Sequence, residues 1–316
     1  MKPIIISGGD PTGIGEEIFI DSIKELQKLS KSRLVVFVSS MKNSKISQFE
    51  PIELEEKVKN LSKGLILYRS KDLLKNRKYA NKPGKPSELS GKIAYDSLQL
   101  TIKLQKKIGG NMITLPLSKE WVIKAGIKNF VGHTETLSKE YGKDTFMMMV
   151  GQNLRVIPLT THIPIAKVSK FLKKLKIDSL IQSIKNNQMF HNPVIGFCGL
   201  NPHAGENGKI GKEEIEILIP YITMMKKNGL KVEGPLAADS VFTKHCMDKY
   251  NLILSCYHDQ GLIPFKALEG LNGVNVTLGL NFIRVSPDHG TAFDIAGKGM
   301  ANSTSFQKCI KLLKDM

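Results

Sequence analysis

Residues 4–39 read IIISGGDPTGIGEEIFIDSIKELQKLSKSRLVVFVS. Ile4–Ser7 has the character of a buried strand, GGDPTGIG of a tight loop, and Glu16–Leu29 of a helix with apolar residues at Ile18, Ile20, Ile23 and Leu26. Leu34–Ser39 then forms a second apolar strand. Strand, glycine loop, helix and strand in that order are the signature of a parallel α/β sheet, with a right-handed crossover as the default.

Downstream, residues 41–88 mix Lys, Ser, Asn, Glu and Pro around brief apolar runs such as Leu65–Tyr68, and read as irregular excursions between short strands. A helix is expected over 90–107, with Ser90 as its cap and Ile93, Leu98, Ile102 and Leu104 on its apolar face. Met112–Leu115 is the next strand, and TFMMMV and LRVIPL flank GQN in the manner of a hairpin. Pro193–Cys198, Leu252–Cys256 and Val274–Leu278 are further apolar strands, each leading into a polar segment. In open α/β sheets ligands sit outside the carboxyl ends of strands, so chemistry is expected there.

Three histidines occupy such segments: His162 in TTHIP, His203 in GLNPHAGENG and His258 in CYHDQGLIPFK. Imidazoles delivered from separate loops can surround one divalent cation and leave a coordination position open for substrate. His191 and His245 lack such settings and read as structural residues. No H-E-x-x-H helix or second-metal carboxylate set accompanies the three histidines, which argues against a metal-dependent hydrolase, the nearest alternative chemistry.

At 316 residues the chain exceeds one ordinary core, and a 41% apolar content suffices for two domains or one large α/β unit. The 46 Lys and Arg against 29 Asp and Glu give a formal charge of +17. Most of the excess is lysine interleaved with Leu and Val at helical spacing, as in KVSKFLKKLK at 167–176, which describes a solvated helix face rather than a nucleic-acid groove reader. A non-catalytic basic binding protein would need those lysines and not the histidine loops. The basic field does favour anionic small molecules. Cys198, Cys246, Cys256 and Cys309 form no C-x-x-C pair, so neither a disulfide framework nor a zinc knuckle is expected. Ile4–Ile6 is too short for a signal-peptide core or membrane span, and the expectation is a soluble, cytoplasmic protein without a membrane partner.

GGDPTGIGEEI, VGHTETL at 131–137, the three histidine cassettes and GVNVTLGLNFIRVSPDHGTAFDIAGKG at 273–299, taken in order, resemble the 4-hydroxythreonine-4-phosphate dehydrogenase family of vitamin B6 biosynthesis. The resemblance implies an α/β fold like that of isocitrate and isopropylmalate dehydrogenases, with parallel or mixed sheets and a cleft between two domains. It implies a first domain of 1–125 plus 290–316 and a second of 126–289 that carries the metal loops and a homodimer interface. Its implied activity is NAD-dependent, divalent-metal-assisted oxidation of 4-phosphooxy-L-threonine, followed by loss of carbon dioxide to give 3-amino-2-oxopropyl phosphate. NADP is a second possible acceptor, and zinc, magnesium or cobalt the implied metals. Phosphorylated threonate or erythronate are the alternative substrates within the same family type.

By the same resemblance His162, His203 and His258 are metal ligands drawn from two subunits, and His133, Thr134, Lys266, Asn275 and Arg284 bind substrate. Lys and Arg suit phosphate and carboxylate through charge-assisted hydrogen bonds. Their ordinary readings differ. For Thr134 the lesser alternative is a helix N-cap ahead of 135–141, whereas Lys266 and Arg284 sit in apolar, strand-like runs where a lone charge is costly without a purpose. Asp239, Asp259, Asp288 and His289 are secondary candidates. GGDPTGIG does not have the G-x-G-x-x-G spacing, and Pro11 fixes a turn that a dinucleotide fingerprint lacks. GTAFDIAGKG, with Gly290 and Gly297, is the better dinucleotide edge by analogy.

Overall fold

The computed structural model describes residues 1–40, 51–52, 58, 60–68, 82–189 and 192–314. His191 and much of the 41–88 segment lie outside them. In chain order the strands are β1 (Ile4–Ser7), β2 (Leu34–Val38), β3 (Pro51–Ile52), β4 (Gly64–Tyr68), β5 (Asn111–Thr114), β6 (Phe146–Val150), β7 (Arg155–Pro158), β8 (Val194–Cys198), β9 (Lys231–Leu236), β10 (Leu252–Ser255), β11 (Val274–Leu278) and β12 (Arg284–Pro287). The helices that matter to the site are α1 (Gly15–Asp21), α2 (Ile23–Ser30), α3 (Glu88–Ile108), α4 (His133–Tyr141), α5 (His258–Glu269) and α6 (Thr304–Lys314). The chain divides into two compact units, Met1–Gly142 with Asn281–Met316, and Lys143–Leu280. The divisions fall at 142/143 and 280/281 rather than at the expected 125/126 and 289/290, so α4 and the strand bearing Arg284 go with the first unit.

In the first unit the strands lie in the order β3-β4-β2-β1-β5-β12, and every pairing among them is parallel. The run Ile4–Ser7 is buried throughout, as is Leu34–Val38. Near-continuous apolar strands are what a parallel sheet covered on both faces requires. The expected helix 16–29 is broken at buried Ser22 into α1 and α2. Phe19 of α1 stacks on Phe37 of β2 with ring centroids 3.7 Å apart, and Phe306 of α6 joins them. Arg33 is buried and donates through Nη1 to the Leu313 carbonyl at 2.8 Å, holding the C-terminal helix to this unit. Helix α3 starts two residues earlier than expected. Its N-cap is Ser87, and Ser90 is the reciprocal partner in a capping box rather than the cap itself.

The second unit orders its strands β11-β6-β7-β10-β8-β9. Strand β6 runs antiparallel to both β11 and β7, forming the expected hairpin around GQN, whereas β7, β10, β8 and β9 are mutually parallel. The hairpin loop is pinned by Glu269 at the end of α5, whose buried carboxylate accepts from the backbone N–H groups of Gln152, Asn153 and Leu154 at 2.7, 2.8 and 2.9 Å. Buried Met149, Leu154, Val156, Ile253, Leu262 and Phe265 form the core between strands and α5.

Candidate active site

Strands β7, β10 and β8 are adjacent and parallel, so their carboxyl ends open on one edge, and each end delivers one of the three histidines. Two backbone and side-chain ties join the first two segments: Leu159 N–H donates to the Ser255 carbonyl at 2.8 Å, and buried Thr160 Oγ1 donates to the Cys256 carbonyl at 2.8 Å. Gln260 joins the second to the third, accepting from Cys256 N–H at 2.7 Å and donating to the Gly199 carbonyl at 2.8 Å. Sequence alone does not single out Thr160 and Gln260, because a threonine in TTHIP and a glutamine in HDQG carry no pattern that distinguishes a loop tie from a surface residue.

His258 is the first residue of α5, not a loop residue, and His162 faces it with ring centroids 5.9 Å apart and planes tilted by 42°. The Nδ1 of His258 lies 2.6 Å from Asp259 Oδ1. A carboxylate at that distance favours the tautomer with the proton on Nδ1, which leaves the Nε2 lone pair free for a ligand. The exposed imidazole of His162 and the half-buried one of His258 fit, at this separation, a divalent cation held between them in both donor type and spacing. Among the described residues no group of three or more His, Cys, Asp or Glu side chains gathers to hold a metal ion within one chain. Thus the structure brings His162 and His258 together and does not place His203 with them in a single-chain triad.

His203 is nonetheless presented in an unusual way. His203, Ala204, Gly205, Glu206 and Asn207 all have positive φ, from 42 to 78°. Left-handed conformation costs a residue with a Cβ about 1–2 kcal/mol, so four such residues here amount to a considerable local strain. The inside of the turn is filled by Glu214, which is 3% exposed. Its Oε1 accepts from Leu200 N–H and Asn201 N–H, both at 2.8 Å, and its Oε2 accepts from Asn201 Nδ2 at 2.9 Å. Gly205 is required where it is: φ is +78°, and a Cβ would stand 2.6 Å from Glu214 Oε2.

Of the expected substrate-binding residues, Lys266 and Asn275 belong to the second unit, and His133, Thr134 and Arg284 to the first. Lys266 is an exposed helical residue of α5, not part of a strand; Pro264 inside that helix and the exposed Ile263 disguise its periodicity. Asn275 Oδ1 on β11 is buried with no protein hydrogen-bond partner. The N-cap of α4 is Gly132, so Thr134 is its second residue and not a cap. Arg284 is buried on β12, and its Nε donates to Thr114 Oγ1 at 3.0 Å. Burial lowers it to about 10, so it stays cationic near neutrality. His133 opens α4, and burial together with the Arg284 guanidinium holds it down at about 3. Its Nε2 is buried without a protein partner. A neutral imidazole and a fixed cation are therefore set side by side.

Other candidates are spent internally. Asp10 is buried and raised by desolvation; its Oδ1 accepts from Thr12 N–H at 2.9 Å and Thr12 Oγ1 at 2.7 Å. The N–H groups of Asp10, Gly13 and Ile14 are bonded to the carbonyls of Pro116, Asp10 and Thr291. With the Gly8, Asp10, Thr12 and Gly13 amides bonded within the protein, GGDPTG lacks the open run of N–H groups with which a glycine-rich fingerprint cradles a phosphate. Burial pushes Cys198 up to about 12 and raises Cys256, which removes thiolate chemistry, and the four cysteines are all free. His245 is an exposed helical residue. Among the described residues no helix is long and apolar enough to cross a membrane.

Residues 16–313 match the family model described as pyridoxal phosphate biosynthetic protein PdxA. The chain is 39% identical to 4-hydroxythreonine-4-phosphate dehydrogenase of Aquifex aeolicus, covering 100% of this chain and 98% of that one. It is 36% identical to D-threonate 4-phosphate dehydrogenase of Salmonella typhimurium, with 98% of each covered. A crystal structure of 4-hydroxythreonine-4-phosphate dehydrogenase from Klebsiella pneumoniae superposes with a TM-score of 0.79 at 30% identity, covering 100% of this chain and 99% of that one. With relatives matched from end to end and the same α/β architecture, the chain belongs to the PdxA family of pyridoxal phosphate biosynthetic proteins.

Proposed function

We propose that this chain is an NAD-dependent dehydrogenase that oxidises 4-phosphooxy-L-threonine with the help of a divalent cation, zinc above magnesium or cobalt. The first product is 2-amino-3-oxo-4-phosphooxybutanoate, a β-keto acid that loses carbon dioxide to give 3-amino-2-oxopropyl phosphate. The observation that carries the reading is the His162–His258 pair on the carboxyl ends of adjacent parallel strands, with the Nδ1 of His258 tied to Asp259. When bound, the cation stabilises negative charge on the substrate's alcohol oxygen and the nicotinamide, NAD or NADP, accepts the hydride.

The chain's own residues supply recognition. Arg284, fixed by Thr114, offers a preset guanidinium to the phosphate or carboxylate, and Lys266 adds a second cation on a flexible stem. His133, neutral at working pH, and Thr134 offer hydrogen bonds without adding charge. Asn275 Oδ1, an acceptor with no protein partner, suits a substrate N–H or O–H donor. His203 from a second copy of the chain completes the cation's ligands, since among the described residues of one chain His162 and His258 face each other and no third metal-binding side chain gathers with them. The working particle is then a homodimer, and four free cysteines suit a reducing cytoplasm.

A second reading has support from the comparisons: the relative at 36% identity is named for D-threonate 4-phosphate, close to the 39% of the first relative. Absorbance at the nicotinamide band, followed with purified protein, NAD, zinc or magnesium, and phosphorylated threonine beside phosphorylated threonate, separates the two. NADH formation with phosphorylated threonine supports the proposal. Turnover of the threonate compound alone transfers the assignment to the second reading, and no NADH with either rejects both.

A further inference from the structure

We propose that Glu214 is the positioning residue that fixes the His203 loop in its ligand-presenting shape, a role that rests on the metal reading above. Three observations converge on it. The loop from His203 to Asn207 is left-handed throughout, including four residues with a Cβ, a shape the backbone does not adopt unaided. Glu214 occupies the inside of that loop, almost wholly buried, and binds it at its root through Leu200 N–H, Asn201 N–H and Asn201 Nδ2. The loop's small residues conform to the carboxylate: a Cβ at Gly205 would stand 2.6 Å from Oε2, and one at Gly199 would stand 3.3 Å from Oε1 and 2.8 Å from Ala204 Cα.

The carboxylate is a template around which the chain turns. Its oxygens take up donors that would otherwise point into the loop unpaired, and the neighbouring Glu213 Oε2 takes the remaining proton of Asn201 Nδ2 at 2.9 Å. Glu214 itself starts the turn Glu214–Leu218, which continues into the helix Ile219–Lys227, so the template is anchored on regular structure. Gln260 anchors the other root through the Gly199 carbonyl, tying the loop to the segment that carries His258. Both carboxylate oxygens of Glu214 are engaged by donors of the Leu200–Asn201 root, so its role is to hold His203.

The test compares wild type, Glu214→Gln, Glu214→Ala and His203→Ala, using zinc ion as the probe. Zinc dissociation constants, KM for NAD and amide hydrogen exchange at Leu200 and Asn201 are measured well below each variant's melting temperature. In Glu214→Gln one oxygen still accepts from the Leu200 and Asn201 N–H groups, so zinc affinity is expected within about threefold of wild type. In Glu214→Ala the template is gone, and zinc affinity is expected to fall about 10–100-fold with KM for NAD unchanged and exchange at both amides accelerated. A folded Glu214→Ala protein with wild-type zinc affinity and protected amides overturns the inference, as does an equal loss in Glu214→Gln. Failure of the underlying metal reading is recognised separately, by His203→Ala binding zinc as wild type does. The amide exchange then decides alone whether Glu214 sets the loop.

Discussion

At the scale of single residues, the pairing of His258 with Asp259 is the most directly testable contact. Asp259 is largely exposed and touches the fold lightly, so Asp259→Asn is expected to leave thermal stability within about 0.5 kcal/mol of wild type. Zinc affinity, measured by competition with a chelating dye, is expected to drop about 10–100-fold, because the imidazole loses the carboxylate that sets its tautomer. His133 carries a pH signature. Its folded value is about 3 against 6.5 in the unfolded chain, so below pH 6.5 the unfolded chain takes up a proton that the folded one refuses. This residue's share of stability is complete above about pH 6.5 and is lost as pH falls through that value towards 3. Urea midpoints at pH 7.5 and pH 5 should therefore differ less in His133→Asn than in wild type; an identical pH dependence would remove His133 from the account. The histidine cassettes and Arg284 stand out in the sequence by their settings, and the structure brings His162 and His258 face to face. Glu214, Gln260 and Thr160 do not stand out, since what they do depends on loops that meet only in the folded chain.

At the scale of elements, Glu269 joins the end of α5 to the β6–β7 hairpin, and so sets the helix whose first residue is His258. Glu269→Ala leaves the N–H groups of Gln152, Asn153 and Leu154 without their acceptor, and a loss of about 2–4 kcal/mol is expected by urea denaturation. A loss under about 0.5 kcal/mol would show that water serves those groups equally well. The strands were readable because their apolar runs have no competing interpretation: IIIS, LVVFV and the TFMMMV–GQN–LRVIPL hairpin all appear where expected. Helix ends were less so. Ser90 and Ser87 both suit a cap, and only the backbone shows that Ser87 takes it while Ser90 answers from the third position. The IPFK run around Lys266 resembles a strand because α5 leaves Ile263 and Leu268 exposed, which blurs the helical period.

At the scale of the whole molecule, the family and its α/β architecture followed from six motifs in order, whereas assembly leaves little trace in a single sequence. The dimer proposed above rests on the histidines: two face each other within one chain, and among the described residues no third metal-binding side chain joins them. Mixing inactive His203→Ala with inactive His258→Ala and allowing subunits to exchange is expected to restore about a quarter of wild-type turnover, since half the dimers are mixed and each of those has one intact site. No recovery after demonstrated exchange would place all ligands on one subunit. The most direct measurement is anomalous scattering at the zinc edge from crystals grown with zinc. The account predicts a peak about 2.0–2.1 Å from Nε2 of both His162 and His258. A zinc-replete crystal in which the peak lies away from both rings, or in which neither imidazole touches an ion, contradicts it.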